Sequence, residues 1–206
     1  MARTKAPLLS LDASGSIAKA IVYSKWKGRS YVRSSVKPSN PKSGLQVGMR
    51  ASLKFLTQIY AHIGATAQAN WKAAAKKQNI TALDQMVKVN QTRQRQNFGM
   101  IEDPAFTAGA VEAAPGAPSA TAQPKSLALA WTDSAGANDW CTAVFMSVTN
   151  GFTPDVSNMI AIVPHGNQKL VVEKLVTGTT YYFQLAGEEH GGTMGTKTAQ
   201  FTGTPT

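Results

Sequence analysis

The chain has 206 residues, of which 43% are hydrophobic, 16% are charged and one is a cysteine. This length and composition are typical of a globular protein with one or two domains, and they exclude collagen-like and mainly disordered chains. Because Cys141 has no second cysteine to pair with, a disulfide framework and a structural zinc finger are excluded as well.

The N-terminal sequence does not resemble a secretion signal. The apolar run after Arg3 and Lys5 is short and is followed by Asp12. No segment approaches the roughly 18 apolar residues of a membrane-spanning helix. We therefore expect a protein made in the cytoplasm, without contact with a membrane.

The net charge of +10 is unevenly distributed along the chain. Residues 1–100 carry 17 Lys and Arg against Asp12 and Asp84, a balance of +15, whereas residues 101–206 carry 4 against 9, a balance of −5. Such asymmetry indicates two parts with different surroundings.

The first part is predicted to begin with an arm over residues 1–16 and a β-hairpin over 16–36. β-branched and aromatic residues occupy both predicted strands, and Gly28 lies in the turn between them. Residues 37–41, with Pro38 and Pro41, are expected to be extended. We expect the arm and this segment to contact neighbouring subunits by strand addition.

Three helices are predicted to follow, and with the hairpin they complete a basic domain over residues 17–103. The first is expected to begin after Ser43 and to end at Gly64, the second to begin at Thr66, and the third to span about 81–97. The apolar stripe predicted for the first helix consists of Leu45, Met49, Leu53, Leu56, Tyr60 and Ile63. The polar end of the third helix, residues 91–97, is expected to fray or to pack on a partner.

Residues 104–116 are rich in Pro and Ala and predict a semi-rigid linker, with the boundary near Pro115. Residues 117–206 contain short alternating segments separated by Gly, Asn, Asp and Pro, which favours an all-β sandwich. The predicted fold class is therefore a two-domain α+β protein, with a hairpin and helices followed by an immunoglobulin-like sandwich.

The second domain resembles a fibronectin type III or related immunoglobulin-like module. The resemblance is carried by Pro118, by Leu127, Leu129 and Trp131 at alternating positions, and by the segment from Leu175 through Tyr181 and Phe183 to Leu185. It implies that Trp131, Tyr181 and Phe183 lie in the sandwich core. It also implies that the Tyr181 hydroxyl bonds to nearby backbone in a tyrosine corner.

The first domain resembles a group of virion proteins from tailed bacteriophages. Its matching motifs are Tyr31-Val32-Arg33, Pro38-x-Asn40-Pro41, Gln46 with Arg50, and Thr66-Ala67-Gln68 followed by Trp71. The resemblance implies a structural, non-enzymatic protein of the virion, located in the tail, the neck or the capsid. It implies no cofactor, and its implied partners are other virion proteins and further copies of the chain.

Catalytic and metal-binding patterns are weak in this sequence. His62 is interpreted as a structural or surface residue, and His190, which follows Glu188 and Glu189, as part of a loop tip without a metal site. Cys141 lies in an apparent strand and is expected to be a small core residue. We therefore predict no catalytic, cofactor-binding or metal-binding residues.

The basic hairpin leaves two interpretations open. Cations alternate with aromatic residues there, which suits either docking on an acidic protein surface or nucleic-acid binding through phosphate contacts and base stacking. We favour assembly, with nucleic-acid binding as the alternative function. The interface residues predicted for assembly are Trp26, Arg29, Tyr31, Arg33, Pro38, Pro41 and Arg50.

The acidic sandwich is expected to point outward from the particle or to bridge neighbouring copies. Exposed aromatic residues on it would suit weak contact with glycans of the host surface, and Trp140 and Tyr182 are the candidates.

Overall fold

The computed structural model describes residues 2–3, 15–17, 20–26, 29–36, 39–107, 109–134 and 139–206. The side chains of Ala2, Arg3 and Trp26 lie outside this description. In chain order the elements are β1 (Ala2–Arg3), β2 (Gly15–Ile17), β3 (Ile21–Trp26), β4 (Arg29–Ser34), α1 (Gly44–Ile59), α2 (Ala65–Lys76), α3 (Ala82–Arg95), β5 (Gly116–Gln123), β6 (Ser126–Thr132), β7 (Asp139–Ser147), β8 (Met159–Pro164), β9 (Lys169–Glu173), β10 (Tyr181–Glu189), β11 (Met194–Lys197) and β12 (Phe201–Gly203).

These elements form the predicted combination of an N-terminal hairpin, a helical region and an all-β sandwich. The chain divides into two compact units, Met1–Pro41 and Lys42–Thr206. This division differs from the expected one, because the three helices share a unit with the sandwich. A hydrophobic cluster that includes Phe55, Trp71 and Met86 from the helices and Trp140 and Phe145 from the sandwich explains the difference.

The first unit is an antiparallel four-stranded sheet in the order β1-β4-β3-β2. The predicted hairpin forms its centre, with Trp26 paired to Arg29 beside the turn. Gly28 of the turn and Pro38 of the following segment lie outside the described residues. Strands β1 and β2 come from the arm, so parts of the arm add to the chain's own sheet.

Helix α1 begins after Ser43 as predicted, but its buried face differs from the predicted apolar stripe. Leu45 and Leu53 are 47% and 41% exposed, because the helix turns a different face to the sandwich. Its buried residues are Gly48, Ser52, Phe55 and Leu56. Glycine makes this contact possible, since a Cβ on Gly48 would lie 1.9 Å from the carbonyl oxygen of Val156.

Gly64, which was predicted to end the first helix, is instead the N-cap of α2, because α1 already ends at Ile59. Helix α2 begins one residue before its predicted start, and α3 lies within its predicted span. Trp71 of α2 is fully buried, and its indole N–H donates to the carbonyl oxygen of Glu102 at 2.7 Å. Thr81 caps α3 by accepting a hydrogen bond from the backbone N–H of Asp84. The polar end of α3 packs within its own unit, where Gln94 is 2% exposed.

The sandwich consists of a three-stranded sheet, β5-β6-β9, and a five-stranded sheet in which β11-β10-β7-β8 are consecutive and β12 also pairs with β10. Cys141, Ala143 and Phe145 of β7 contact the cluster formed with the helices, whereas Val144 contacts the core between the sheets. The five-stranded sheet is therefore covered on both faces, which explains the continuous apolar run in β7.

The core between the two sheets contains Trp131, Tyr181 and Phe183. The Tyr181 hydroxyl accepts a hydrogen bond of 3.0 Å from the backbone N–H of Val176, five residues upstream. This is the geometry of a tyrosine corner. Within the described ranges, no helix has both the length and the apolar character needed to cross a membrane.

Residues 104–116 were expected to form a semi-rigid linker, and described residues of this segment form hydrogen bonds with the sandwich. Gly109 donates its N–H to both carboxylate oxygens of Glu189, at 2.8 and 2.9 Å. The carbonyl oxygen of Glu112 accepts from the N–H of Thr196 at 2.9 Å. The segment therefore follows the surface of β10 and β11.

Candidate functional site

The N-terminal sheet has two chemically different faces. Directly paired residues of neighbouring strands share a face, and the register pairs Ile17 with Ile21 and Tyr23 with Val32. These four side chains form what we call the apolar face, and the same register places the exposed Lys25 at its end, opposite Ser30. Ile17 and Ile21 are 46% and 42% exposed, although both are large hydrophobic residues.

The opposite face carries cations and an aromatic residue. The register pairs Val22 with Arg33 and Ser24 with Tyr31, and Arg29 occupies the same face two residues before Tyr31. Arg29 and Arg33 are exposed, and Tyr31 is partly buried. We call Arg29, Tyr31 and Arg33 the arginine face.

The remaining predicted interface residues are placed as follows. The Trp26 backbone belongs to β3, and its side chain and the whole of Pro38 are outside the described part of the chain. Pro41 is exposed at the end of the first unit, and Arg50 is exposed on α1 in the second. The structure thus brings three predicted residues, Arg29, Tyr31 and Arg33, together on one sheet face.

The surface of the second unit is more basic than its composition suggests. Five of the nine acidic residues after position 100 are buried, namely Asp103, Glu112, Asp139, Glu188 and Glu189. Asp84 and Glu173 are the exposed acids in the described part of this unit. Its exposed cations are Lys42, Arg50, Lys54, Lys72, Lys76, Lys77, Lys88, Arg95, Lys125, Lys169 and Lys174. The expectation of an acidic sandwich surface was therefore wrong, because folding places most of those carboxylates inside.

The three histidines of the chain meet at one cavity in the second unit. The cavity has a volume of about 300 Å³ and lies where the end of α1 approaches the ends of β8 and β10. Its lining consists of Ile59, His62, Ile63, Glu102, Asp139, Trp140, Pro164, His165 and His190. We call it the histidine cavity.

His190 is held by a carboxylate and an aromatic ring. Its Nδ1 contacts Oε2 of Glu102, and its ring stacks on Phe106 with 5.6 Å between centroids. The hydrogen bond to Glu102 raises the pKa of His190, and burial opposes this effect. His190 lies in the turn between β10 and β11, as its interpretation as a loop residue predicted, but residues far away in sequence contact its side chain.

Next to the cavity lies a buried carboxylate, Glu188. It accepts a hydrogen bond of 2.7 Å from the N–H of Met100 and one of 3.2 Å from the side-chain amide of Gln94. Burial raises the pKa of Glu188 to about 7, although these hydrogen bonds stabilise the charged form. The thiol of Cys141, which is fully buried, also contacts Glu188, and burial raises its pKa well above the ordinary value.

Asp139 is buried at the start of β7. Ser134 donates its hydroxyl to Oδ2 of Asp139 at 3.0 Å. Burial raises the pKa of Asp139, and the bond to Ser134 opposes this shift. Glu188 and Asp139 are thus held in sites that disfavour their charged forms.

The histidine cavity contains acid and base groups without a side-chain nucleophile in its lining. Within the described ranges, no group of three His, Cys, Asp or Glu residues is arranged to hold a metal ion. The Glu102–His190 pair can exchange a proton, and Asp139, His62 and His165 line the same cavity.

Of the two aromatic residues expected to contact glycans, Trp140 is buried, so its prediction was wrong. It is 6% exposed and packs edge-on against Phe55, with 5.2 Å between ring centroids. Its position under α1 removes it from the surface. Tyr182 is partly exposed on β10.

No family model matches the chain, and no curated protein matches it. Among solved structures, a β-1,2-glucanase from Parabacteroides distasonis has a TM-score of 0.42 and 11% identity, over 52% of this chain and 14% of the glucanase. An Fn3-like protein from Clostridium thermocellum has a TM-score of 0.38 and 22% identity, over 47% of this chain and 96% of that protein. A human fibronectin type III domain has a TM-score of 0.39 and 18% identity, over 50% and 86% of the two chains.

Proposed function

We propose that the chain is a non-enzymatic structural component of a bacteriophage virion, in which the basic N-terminal part docks on the particle. The phage motifs, among them Tyr31-Val32-Arg33, support this proposal. In this arrangement the sandwich is displayed or bridges neighbouring subunits, and the partly exposed Tyr182 remains a candidate for glycan contact.

The observation that carries the docking proposal is the lack of a buried core in the described part of the N-terminal sheet. None of its described side chains is classed as buried, and Ile17 and Ile21 are substantially exposed. A sheet gains independent stability by covering a hydrophobic face with another layer. A partner surface on the particle would provide this layer for the apolar face.

The proposal is tested by quantifying the chain in particles purified by density gradient from lysates of infected or induced host cells. Mass spectrometry is expected to find the chain in the particle fraction at a fixed ratio to the major capsid protein. A chain that is abundant in the lysate but absent from infectious particles would contradict the proposal.

A further inference from the structure

We propose that the arginine face of the N-terminal sheet binds the phosphate backbone of nucleic acid, while the apolar face is left for protein contact. The proposal goes beyond a structural role in the particle, because it assigns a polymer ligand to Arg29, Tyr31 and Arg33. Because alternate residues of a strand lie on opposite faces, the two surfaces are on opposite sides of the same sheet.

The spacing on β4 supports a polymer ligand. Arg29 and Arg33 are four residues apart in an extended strand, so their Cα atoms are about 13 Å apart along the sheet. Tyr31 lies between them on the same face. Cations that contact phosphates, with an aromatic ring between them on which a base can stack, are the combination that sequence-tolerant single-strand binding uses.

The charge of the chain argues against a second copy as the occupant. Asp12 is the sole acidic residue in the first 41 positions of the sequence. In the described part of the second unit, the exposed carboxylates are Asp84 and Glu173, which lie among eleven exposed cations. Another copy would therefore offer the arginine face mainly repulsion, whereas a phosphate backbone offers a regular row of negative charges.

The composition of the face also favours nucleic acid over an acidic protein. A protein partner would bury hydrophobic surface, and the sheet offers Ile17, Ile21 and Val32 for that purpose on its other side. Among its described side chains, the arginine face offers two exposed guanidinium groups and the Tyr31 ring, with Val22 as its one large aliphatic residue.

The test measures binding of the full chain to fluorescent oligothymidine and to mixed-sequence duplex DNA over a range of salt concentrations. We expect binding to weaken steeply with salt. The Arg29→Gln/Arg33→Gln variant is expected to lower the magnitude of the logarithmic salt slope by about 1.4 on the single strand. The matched control is Lys72→Gln/Lys76→Gln, which removes two exposed cations from α2.

A second variant tests base stacking. Tyr31→Ala is expected to weaken binding to oligothymidine by about fivefold or more, and Tyr31→Phe to retain it, because phenylalanine keeps the ring. A larger loss on the single strand than on the duplex would identify single-stranded nucleic acid as the ligand. Equal losses of affinity on the single strand and the duplex would indicate that the face binds phosphates of both single-stranded and duplex nucleic acid.

Three results would overturn the proposal. One is the absence of DNA binding near 150 mM salt by a chain whose circular dichroism spectrum is that of a folded protein. Another is that the arginine variant and the α2 control show the same loss of affinity and the same change in salt slope. Binding would then be spread over the whole basic surface. The third is that polyglutamate competes as well as DNA at equal charge, which would assign the face to an acidic protein.

Discussion

The Glu188 carboxylate accepts a hydrogen bond of 2.7 Å from the backbone N–H of Met100, 88 residues earlier in the chain. Glu188 lies in β10, and Met100 follows α3, so this bond connects the helical region with the sandwich. Both residues are fully buried. The junction of the two regions thus depends on a group whose charge costs free energy when it is buried.

Glu188 is expected to make the stability of the protein depend on pH. Because its folded-state pKa is about 7, above the ordinary value of a glutamate, the folded state retains a proton that the unfolded state releases. Its contribution to stability is therefore present at about pH 4.5 and is lost as the pH rises through about 7. The free energy of unfolding is therefore expected to differ between pH 5 and pH 8 by on the order of 2 to 3 kcal/mol because of this group, and Glu188→Gln is expected to remove that difference.

The measurement is urea unfolding at pH 5 and pH 8. The control is Glu173→Gln, which changes an exposed glutamate on β9 and is expected to leave the difference between the two pH values unchanged. If Glu188→Gln retained the full pH dependence of the wild type, another group would have to be responsible for it.

His190 is expected to contribute in the same direction. Its pKa is raised by Glu102, so the stability that it gains from the ion pair is complete below the pKa of a free histidine and disappears as the pH rises through its higher folded-state pKa. NMR titration should show this residue titrating at a higher pH than a free histidine. In Glu102→Gln the midpoint is expected to fall, and an unchanged midpoint would rule out Glu102 as the cause.

The close approach of α1 to the sandwich is expected to require glycine at position 48. Gly48→Ser would place a Cβ against the backbone oxygen of Val156, and the resulting displacement is expected to cost about 1 to 3 kcal/mol despite the better helix propensity of serine. The same substitution at Gly64, where a Cβ meets no atom within 4 Å, serves as the control. Thermal unfolding of both variants measures the effect, and equal melting temperatures would show that α1 can move without cost.

The apolar face is expected to determine incorporation into the particle. Ile17→Glu places a charge on this face, whereas Ser16→Glu places the same charge on the neighbouring residue of β2, which points to the other face. Particles assembled with the Ile17 variant are expected to contain much less of the chain than those with the Ser16 variant. Equal incorporation would mean that docking uses another surface.

Local patterns predicted most of the elements, because strands and helices follow from residue spacing. The hairpin strands β3 and β4 lie within the predicted hairpin over residues 16–36, and α3 lies within its predicted span of about 81–97. Among the strands that were not predicted is β5, which has small residues and Pro118 in place of an apolar alternation. The predicted hairpin already placed Arg29, Tyr31 and Arg33 on one face, since alternate residues of a strand lie on the same side of the sheet.

Contacts over long sequence distances could not be predicted in the same way. Consecutive residues Glu188 and Glu189 are both buried because segments distant in sequence cover both faces of this end of β10. The acidic pair and His190 were a visible signal, but their partners come from segments about 80 to 95 residues away, namely Gln94 for Glu188, Gly109 for Glu189 and Glu102 for His190. The predicted stripe was correct for Leu56 and Ile63, which are buried, and wrong for Leu45 and Leu53, because α1 makes its close contact with the sandwich through Gly48.

Electron cryomicroscopy of the purified particle, combined with mass spectrometry of the same sample, tests the central claim most directly. The account predicts density that fits residues 42–206 at symmetry-related positions, attached to the particle through the N-terminal sheet. Particles that are complete and infectious, without this density and without peptides from the chain, would contradict it.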